Sequence, residues 1–355
     1  MFEIYNNKKV LITGHTGFKG SWLSIWLLRL GAKVIGYALD PKNKNDNFVK
    51  SGLADKIIDY RYDIRDFKTF NEVVNKENPE IIFHLAAQSL VLKSYDEPLY
   101  TIQTNTLGTA NVLEAFRQSK SAKVLILVTT DKVYKNNEWV WGYRENDQLG
   151  GHDPYSGSKA AAEMLIQSYE QSFFSSGTKH IAVVRAGNVI GGGDWSENRI
   201  VPDCIKAIEN NDTISIRNPN AVRPWQHVLE PLCGYLYLGE KLLMNKSQFK
   251  GTWNFGPFYY NIVNVEQLVK AIIKNYGKGN YYIKPDVKAN KESSMLLLDI
   301  SKALNILKWK PILKFDETIE LTVDWYKNYK YEDVFELCCK QIEKYESLWK
   351  LRITN

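Results

Sequence analysis

Short runs of apolar residues alternate with stretches of helical periodicity through the first half of the chain. Lys9–Thr13 (KVLIT) predicts a buried strand and Ser21–Leu30 a helix, while Lys33–Leu39 and Ile81–Ala86 (IIFHLA) predict two further strands. A helix is expected over Leu99–Gln118, a strand over Lys123–Thr129 (KVLILVT), a helix over Ser156–Phe174 and a strand over His180–Arg185 (HIAVVR). Runs that are apolar throughout, rather than alternating, suit strands covered on both faces. Strand–helix alternation of this kind implies an α/β fold, a Rossmann-type doubly wound parallel sheet. Beyond Gly191 the rhythm loosens: Thr213–Ile216 and Trp253–Phe255 read as short strands among helices and loops rich in Asn and Pro. Residues 1–190 are therefore expected to form a dinucleotide-binding domain. Residues 191–355 are expected to form mainly a smaller, partly interleaved C-terminal substrate lobe, closed by a helix over Tyr331–Leu351.

Composition narrows the class. In 355 residues the hydrophobic share is 44% and the charged share 24%, which excludes a disordered tail, a collagenous rod and a small cystine scaffold. Aromatic residues reach 13%, and their stiff amphipathic rings suit pockets as well as cores. The net charge of +6 is spread along the chain without a basic block, so no nucleic-acid partner is expected. Cys204, Cys233, Cys338 and Cys339 have neither metal nor disulfide spacing, which points to no metal site and a reducing compartment. The opening MFEIYNNKKVLITG runs into a strand without a leader pattern, and apolar runs of about 18 residues are lacking. A cytoplasmic protein with no membrane partner is the expectation.

The first strand is followed by Gly14-His-Thr16-Gly17-Phe18-Lys-Gly20, opening a helix. Glycines permit the tight turn and let the backbone approach a diphosphate, which then meets the free N–H groups of the helix N-terminus. Asp40, ending the second strand, would accept hydrogen bonds from an adenosine ribose and favours NAD over NADP. A plain turn aspartate before Pro41 is the alternative, and Lys42 and Lys44 stand nearby. Asp63 and Ile64 are the expected adenine edge. Tyr155 and Lys159 lie four apart on one helical face, where a lysine beside a phenol would lower the phenol's pKa and prepare it to take a proton from an alcohol. The Y-x-x-x-K spacing recurs at Tyr5, Tyr237 and Tyr326. Only Tyr155 follows both a glycine turn and a strand whose end offers the Thr130 hydroxyl.

On Gly14, Gly17, Gly20, Thr130, Tyr155 and Lys159 the chain resembles the extended short-chain dehydrogenases/reductases, over essentially its whole length. The resemblance extends to Asn105 and to Leu85-Ala86-Ala87-Gln88 above the nicotinamide. It implies bound NAD or NADP, a nucleotide-linked sugar as substrate, and a homodimer, or dimer of dimers, paired through Leu99–Gln118 and Ser156–Phe174.

Within that family, TTDKVYKNNEWVWGYREND, RAGNVIGGGDW and RPWQHVLEPL resemble the CDP-hexose branch of the 4,6-dehydratases. Other 4,6-dehydratases typically carry Asp-Glu where this chain has Asp131-Lys132. Oxidation at C4 of a hexose acidifies the C5 proton, and expelling the C6 hydroxyl then needs an acid and a base. Asp131 is read as the acid and Lys132 as base or enolate stabiliser. Gln88, Asn188, Asn198, Arg199 and Arg223 are expected to bind substrate, with Arg217 a weaker candidate. Trp139, Trp141 and Tyr143 either close over the hexose or pack a loop. Three alternatives stand beside this reading: a 4-epimerase, a dehydratase for another nucleotide sugar, and a catalytically silent dinucleotide-binding scaffold.

Overall fold

Seven segments, the inner five of them mostly apolar, form the central sheet of the computed structural model, which describes residues 1–175, 177–284 and 296–353. They are β1 (Lys9–Thr13), β2 (Lys33–Ala38), β3 (Ile58–Arg61), β4 (Ile81–His84), β5 (Val124–Val128), β6 (His180–Ala186) and β7 (Gly251–Phe255). All pairings are parallel, in the order β7-β6-β5-β4-β1-β2-β3. The order reverses between β1 and β4, and ligands of such sheets lie in the crevice at the carboxyl ends of the strands flanking that reversal.

Period-two alternation divides the strand residues between two cores. Leu11, Ile35, Ile82, Leu125, Leu127, Ile181 and Val183 face one side with Phe70, Val112, Phe116 and Ile166. Val10, Ile12, Ile81, Phe83, Val124, Ile126, Val128, Ala182 and Val184 face the other with Trp22, Trp26, Leu232 and Leu236. The helices used below are α1 (Phe18–Arg29), α2 (Gly108–Gln118), α3 (Pro154–Phe173), α4 (Leu229–Leu243) and α5 (Val334–Ile353). The C-terminal α5 returns to the first helix: Tyr345 meets Trp26 edge to face at 5.6 Å, and Trp26 donates to Glu346 at 2.9 Å.

Three departures from the sequence pattern have local causes. β7 extends Trp253–Phe255 and joins the central sheet as its edge, pairing with β6 instead of standing among the loops of the second lobe. The expected helix Leu99–Gln118 is broken into Pro98–Ile102, a π-helical turn Gln103–Leu107 and α2; such turns re-aim side chains, here Asn105. Lys308, where a glycine would be the unstrained choice, adopts the left-handed conformation with φ 61°. Beyond β6, two-residue and three-residue strands pair Val189–Ile190 with Gln226–His227, Val222–Arg223 with Val263–Asn264, and Ile214–Ile216 with Tyr281–Ile283. Among the described residues, no helix is long and apolar enough to cross a membrane.

Candidate active site

The turn after β1 is built by contact of backbone on backbone. Gly14 has φ 76°, and a Cβ there would lie 2.7 Å from the Ala86 nitrogen, just beyond β4. A Cβ on Gly20 would stand 2.1 Å from the Gly14 carbonyl oxygen. The Thr13 hydroxyl accepts from the Leu85 and Ala86 N–H groups at 3.2 Å each, closing β1 onto the Leu85–Ala87 segment. Thr16 ties the turn to the end of β2 through the Leu39 carbonyl at 2.9 Å. Gly17 enters α1 extended, with no side-chain cap. Its first N–H groups are left for an anion, as a dinucleotide diphosphate requires. Phe18 turns its ring onto Gly191.

At the far edge of this cradle, Asp40 is 87% exposed and 3.7 Å from Arg61. Asp63, just beyond β3, is held below the usual carboxylate range by the Arg65 guanidinium at 2.7 Å. Ile64 is buried, and its carbonyl accepts from Asn111 at 2.9 Å.

The second half of the site forms where β5 ends. Thr130 caps the short turn Asp131–Val133, and its hydroxyl donates to Asp131 Oδ1 at 2.9 Å. Lys132, partly exposed, brings its ammonium to 3.7 Å from the same oxygen. Asp131 Oδ2 is buried and has no hydrogen-bond partner among the described residues. A buried acceptor left unmade is costly, so its persistence marks a place for a ligand. Space is kept for it by Gly187, where a Cβ would come within 2.6 Å of that oxygen. Gly187 and Pro224 also line a narrow cleft with Gln226, Pro257, Tyr259 and Leu298.

Asp153 caps α3 by accepting from the Ser156 N–H at 2.9 Å, which sets Tyr155 in the first turn. The expected depression of the phenol by Lys159 is not what the structure gives. Burial pushes the Tyr155 pKa up to about 12, with Thr130 and Arg199 pulling it back and Asp131 and Asp153 pushing it further. Lys159 instead donates to the Val128 carbonyl at 3.4 Å, and burial brings its own pKa down to about 8 against the pull of Glu163.

Glu163, one turn beyond Lys159, is a residue the sequence reading passed over. It accepts from Thr129 at 2.6 Å and from Arg185 Nε at 2.9 Å, and forms a second bond to the Arg185 fork. Arg185 donates onward to the Tyr134 hydroxyl at 2.6 Å, which donates to Asn254 at 2.8 Å. This buried chain locks α3, β5, β6 and β7 together directly behind the reactive end. A charged residue ending the apolar run HIAVVR was the signal that could have found it.

Asn105, fully buried, exchanges hydrogen bonds with the Gln88 backbone at 2.9 and 3.0 Å and donates to Ser158 at 2.9 Å. It therefore fixes the segment beyond β4 against α3. The Gln88 amide is engaged by Leu90 and Thr101, so its side chain holds its own turn. Asn188 lies half-buried beside the cleft-lining Gly187, whereas Asn198 is exposed with φ 59°. Arg199 pairs with Asp194 at 2.7 Å and acts electrostatically on Tyr155. Arg223 donates to the Val222 carbonyl at 2.9 Å. Tyr143 stacks on Tyr134 and Trp139 meets Tyr143 at 5.1 Å, while Trp141 is exposed. Lys19, also passed over, lies in the first turn of α1 within electrostatic reach of Asp131, Lys159, Arg199 and Asp194. No group of three His, Cys, Asp or Glu residues suited to a metal occurs among the described residues.

A glycine turn at the switch point of a parallel sheet, opposite a Thr–Tyr–Lys corner, defines a dinucleotide-dependent enzyme fold of the extended short-chain dehydrogenase/reductase type. The family model for GDP-mannose 4,6 dehydratase matches residues 11–322, and the chain belongs to that family. It is 42% identical to the CDP-glucose 4,6-dehydratase of Salmonella typhimurium over 97% of this chain and 98% of that one. It is 28% identical to the dTDP-D-glucose 4,6-dehydratase of Dictyostelium discoideum, over 90% of this chain and 82% of that one. Among solved structures, the dTDP-glucose 4,6-dehydratase of Bacillus anthracis in complex with NAD superposes with a TM-score of 0.75 at 22% identity, covering 92% of this chain and 99% of that one.

Proposed function

We propose that this protein is an NAD-dependent hydro-lyase that converts CDP-glucose to CDP-4-keto-6-deoxyglucose and water. The observation that carries the reading is Asp131: a buried carboxylate beside the Thr–Tyr–Lys corner, with one oxygen spent on Thr130 and the other free. A simple dehydrogenase or a 4-epimerase has no use for a second acid at this position. The 42% identity to a CDP-glucose 4,6-dehydratase supports the choice of nucleotide.

The cradle of Gly14, Thr16, Gly17, Phe18 and Gly20 would hold NAD, with Asp40 and the Asp63–Ile64 edge at its adenosine end and Leu85–Ala87 under the nicotinamide. Bound there, NAD supplies hydride transfer, C4 being oxidised to a ketone and the same hydride returned at C6. Tyr155 takes the proton of the C4 hydroxyl, with Thr130 holding that oxygen and the Thr130 hydroxyl and Arg199 charge favouring the phenolate. The C4 carbonyl acidifies C5, whose proton is taken by the Lys132 amine as the C6 hydroxyl departs and is given back to C5 when the hydride reaches C6. Asp131 Oδ2 delivers a proton to that hydroxyl, so it leaves as water. Once it carries the C5 proton, Lys132 faces Asp131 at 3.7 Å and its charge stabilises the enolate. Asn188, and Asn198, Arg199 and Arg223 from the lobe of residues 191–355, are assigned to the sugar nucleotide.

Incubating the protein and NAD separately with CDP-, dTDP-, UDP- and GDP-glucose, and weighing the products by mass spectrometry, tests the reading. Loss of one water from CDP-glucose is expected. Isomerisation without mass change would make the protein an epimerase.

A second observation supports a homodimer. Tyr95, Leu99, Ile102, Leu107, Met164 and Phe173 are exposed on the Val91–Leu107 region and α3, more apolar surface than scattered exposed residues require. Burying these helices against their copies in a second chain accounts for it. Leu99→Glu with Met164→Glu is expected to halve the mass seen by sedimentation.

A further inference from the structure

Beside the ends of β6 and β7 stands a polar side chain that the reaction above does not use. Gln226 is 2% exposed. Its backbone N–H donates to the Asn188 carbonyl at 3.1 Å, and its side-chain Nε2 donates to the Phe255 carbonyl, the end of β7, at 3.0 Å. A carbonyl can only accept, so this bond fixes which end of the amide is nitrogen. The other end, Oε1, is buried and has no hydrogen-bond partner among the described residues. Like Asp131 Oδ2, it is an acceptor whose burial costs stability unless a ligand completes it.

The two acceptors flank one place. β6 lies between β5, which leads to Asp131, and β7, where Gln226 is tied. Gly187, the residue after β6, is the wall between them. A Cβ there would stand 2.6 Å from Asp131 Oδ2 and 3.6 Å from the Pro224 ring, and Gly187, Pro224 and Gln226 line the same narrow cleft. Ile262, Leu297 and Leu298 make the cleft largely apolar, so it offers a polar occupant little besides Gln226. Its volume, about 10 Å³, is close to what one water molecule requires. Two acceptors without a donor are completed by a group that brings two O–H protons, and water is such a group.

We propose that Gln226 is a further catalytic residue, whose amide oxygen accepts the O–H of the departing C6 hydroxyl while Asp131 Oδ2 protonates its oxygen. The cleft then receives the water so formed. The proposal rests on reading Asp131 as the acid of a 4,6-dehydratase. In the step, the C6–O bond breaks and its electron pair stays on oxygen, where it takes the Asp131 proton. The hydroxyl's own proton remains on that oxygen, held by Gln226, and the electrons released at C5 form the C5–C6 double bond. As the second proton arrives the oxygen gains positive character, and its bond to Gln226 strengthens. An interaction stronger in the transition state than in the bound sugar acts on kcat rather than KM.

A substrate without the C6 O–H separates this role from a structural one. In CDP-6-deoxy-6-fluoroglucose the fluorine can take the Asp131 proton and leave as hydrogen fluoride, but it has nothing to donate to Gln226. Gln226→Leu and Gln226→Met should each slow single-turnover water loss from CDP-glucose roughly ten- to a hundredfold. KM should stay near the wild-type value, and NADH absorbance should accumulate. Loss of hydrogen fluoride should keep close to its wild-type rate. Equal slowing of both substrates marks a residue that only holds β7 in place, and overturns the proposal. Unchanged water loss from CDP-glucose overturns it too and leaves the dehydratase reading standing. Wild-type protein that expels neither water nor hydrogen fluoride overturns both. Should both variants misfold, a crystal structure of the wild-type protein decides. A water in this cleft at hydrogen-bond distance from Gln226 Oε1 is expected, and an empty cleft or an Oε1 engaged by a protein donor overturns the proposal.

Discussion

The glycine turn and the corner after β5 face the same crevice but are made of different material. In the turn, main chain presses on main chain, and the working groups are N–H donors and empty space at Gly14 and Gly20. In the corner, the working atoms are side-chain tips brought together by β5, α3 and the loop after β6, and their properties come from burial and neighbouring charge. The turn therefore fails on any added atom. The corner fails on the loss of one proton carrier, or of the network that holds it. Holding a diphosphate needs room and donors, whereas moving protons needs desolvated charge whose partners are only partly satisfied.

Splitting the corner should give the largest effect. Tyr155→Phe is expected to abolish the initial oxidation, lowering turnover by roughly 10²–10⁴. Asp131→Asn should lower water loss by a similar factor while still letting the sugar be oxidised, so NADH absorbance rises and persists after CDP-glucose is added. If the two variants behave alike in that absorbance, the division of labour within the corner is wrong.

Adding one methyl to the turn tests its opposite character. Gly20→Ala puts a carbon 2.1 Å from the Gly14 oxygen and 2.7 Å from the His15 Cα, backbone atoms that cannot swing aside. The helix propensity gained is about 1 kcal/mol, against an overpacking cost of about 3 kcal/mol. A lower thermal midpoint and lost NAD affinity should follow, by calorimetry and titration.

The smallest effect sharpens what makes Asp131 special. Glu230, in the first turn of α4, is as buried, but Oε1 accepts from the Ile312 and Leu313 N–H groups at 2.8 and 2.6 Å and Oε2 from Tyr345 at 2.7 Å. Burial raises its pKa to about 7 in the folded protein. An acid with a folded pKa above the unfolded one stabilises fully below the unfolded value, and that contribution is lost as pH rises through about 7. Wild-type unfolding free energy should therefore fall by about 2–3 kcal/mol more than that of Glu230→Gln between pH 4.5 and 8, measured by urea unfolding. Turnover should be unchanged, because no atom of Glu230 awaits a ligand.

Much of this was legible in one dimension. The fully apolar runs KVLIT and KVLILVT are strands because both faces are covered, and Gly14–Gly20 lies where a strand turns into a helix. The edge strand Ile58–Arg61 was harder to see, since a half-exposed edge tolerates Asp59 and Arg61 and loses the apolar signature. The segment Trp253–Phe255 could not be given its sheet from sequence, because β7 reaches β6 across more than sixty intervening residues. Asn105 was found by resemblance, but its clamp on Gln88 and Ser158 depends on a π-helical turn that periodicity does not reveal.

By itself, the order of residues determined the five inner strands, the glycine turn and the candidates Thr130, Tyr155 and Lys159, because strand periodicity, glycine geometry and helical spacing act over a few neighbouring residues. Tertiary structure alone decided that the Tyr155 phenol is raised by burial, that Asp131 keeps one oxygen without a partner among the described residues, and that Glu163 and Arg185 hold the corner from behind. Those properties depend on solvent exclusion and on charges drawn from distant parts of the chain, and neither exists until the chain has closed on itself.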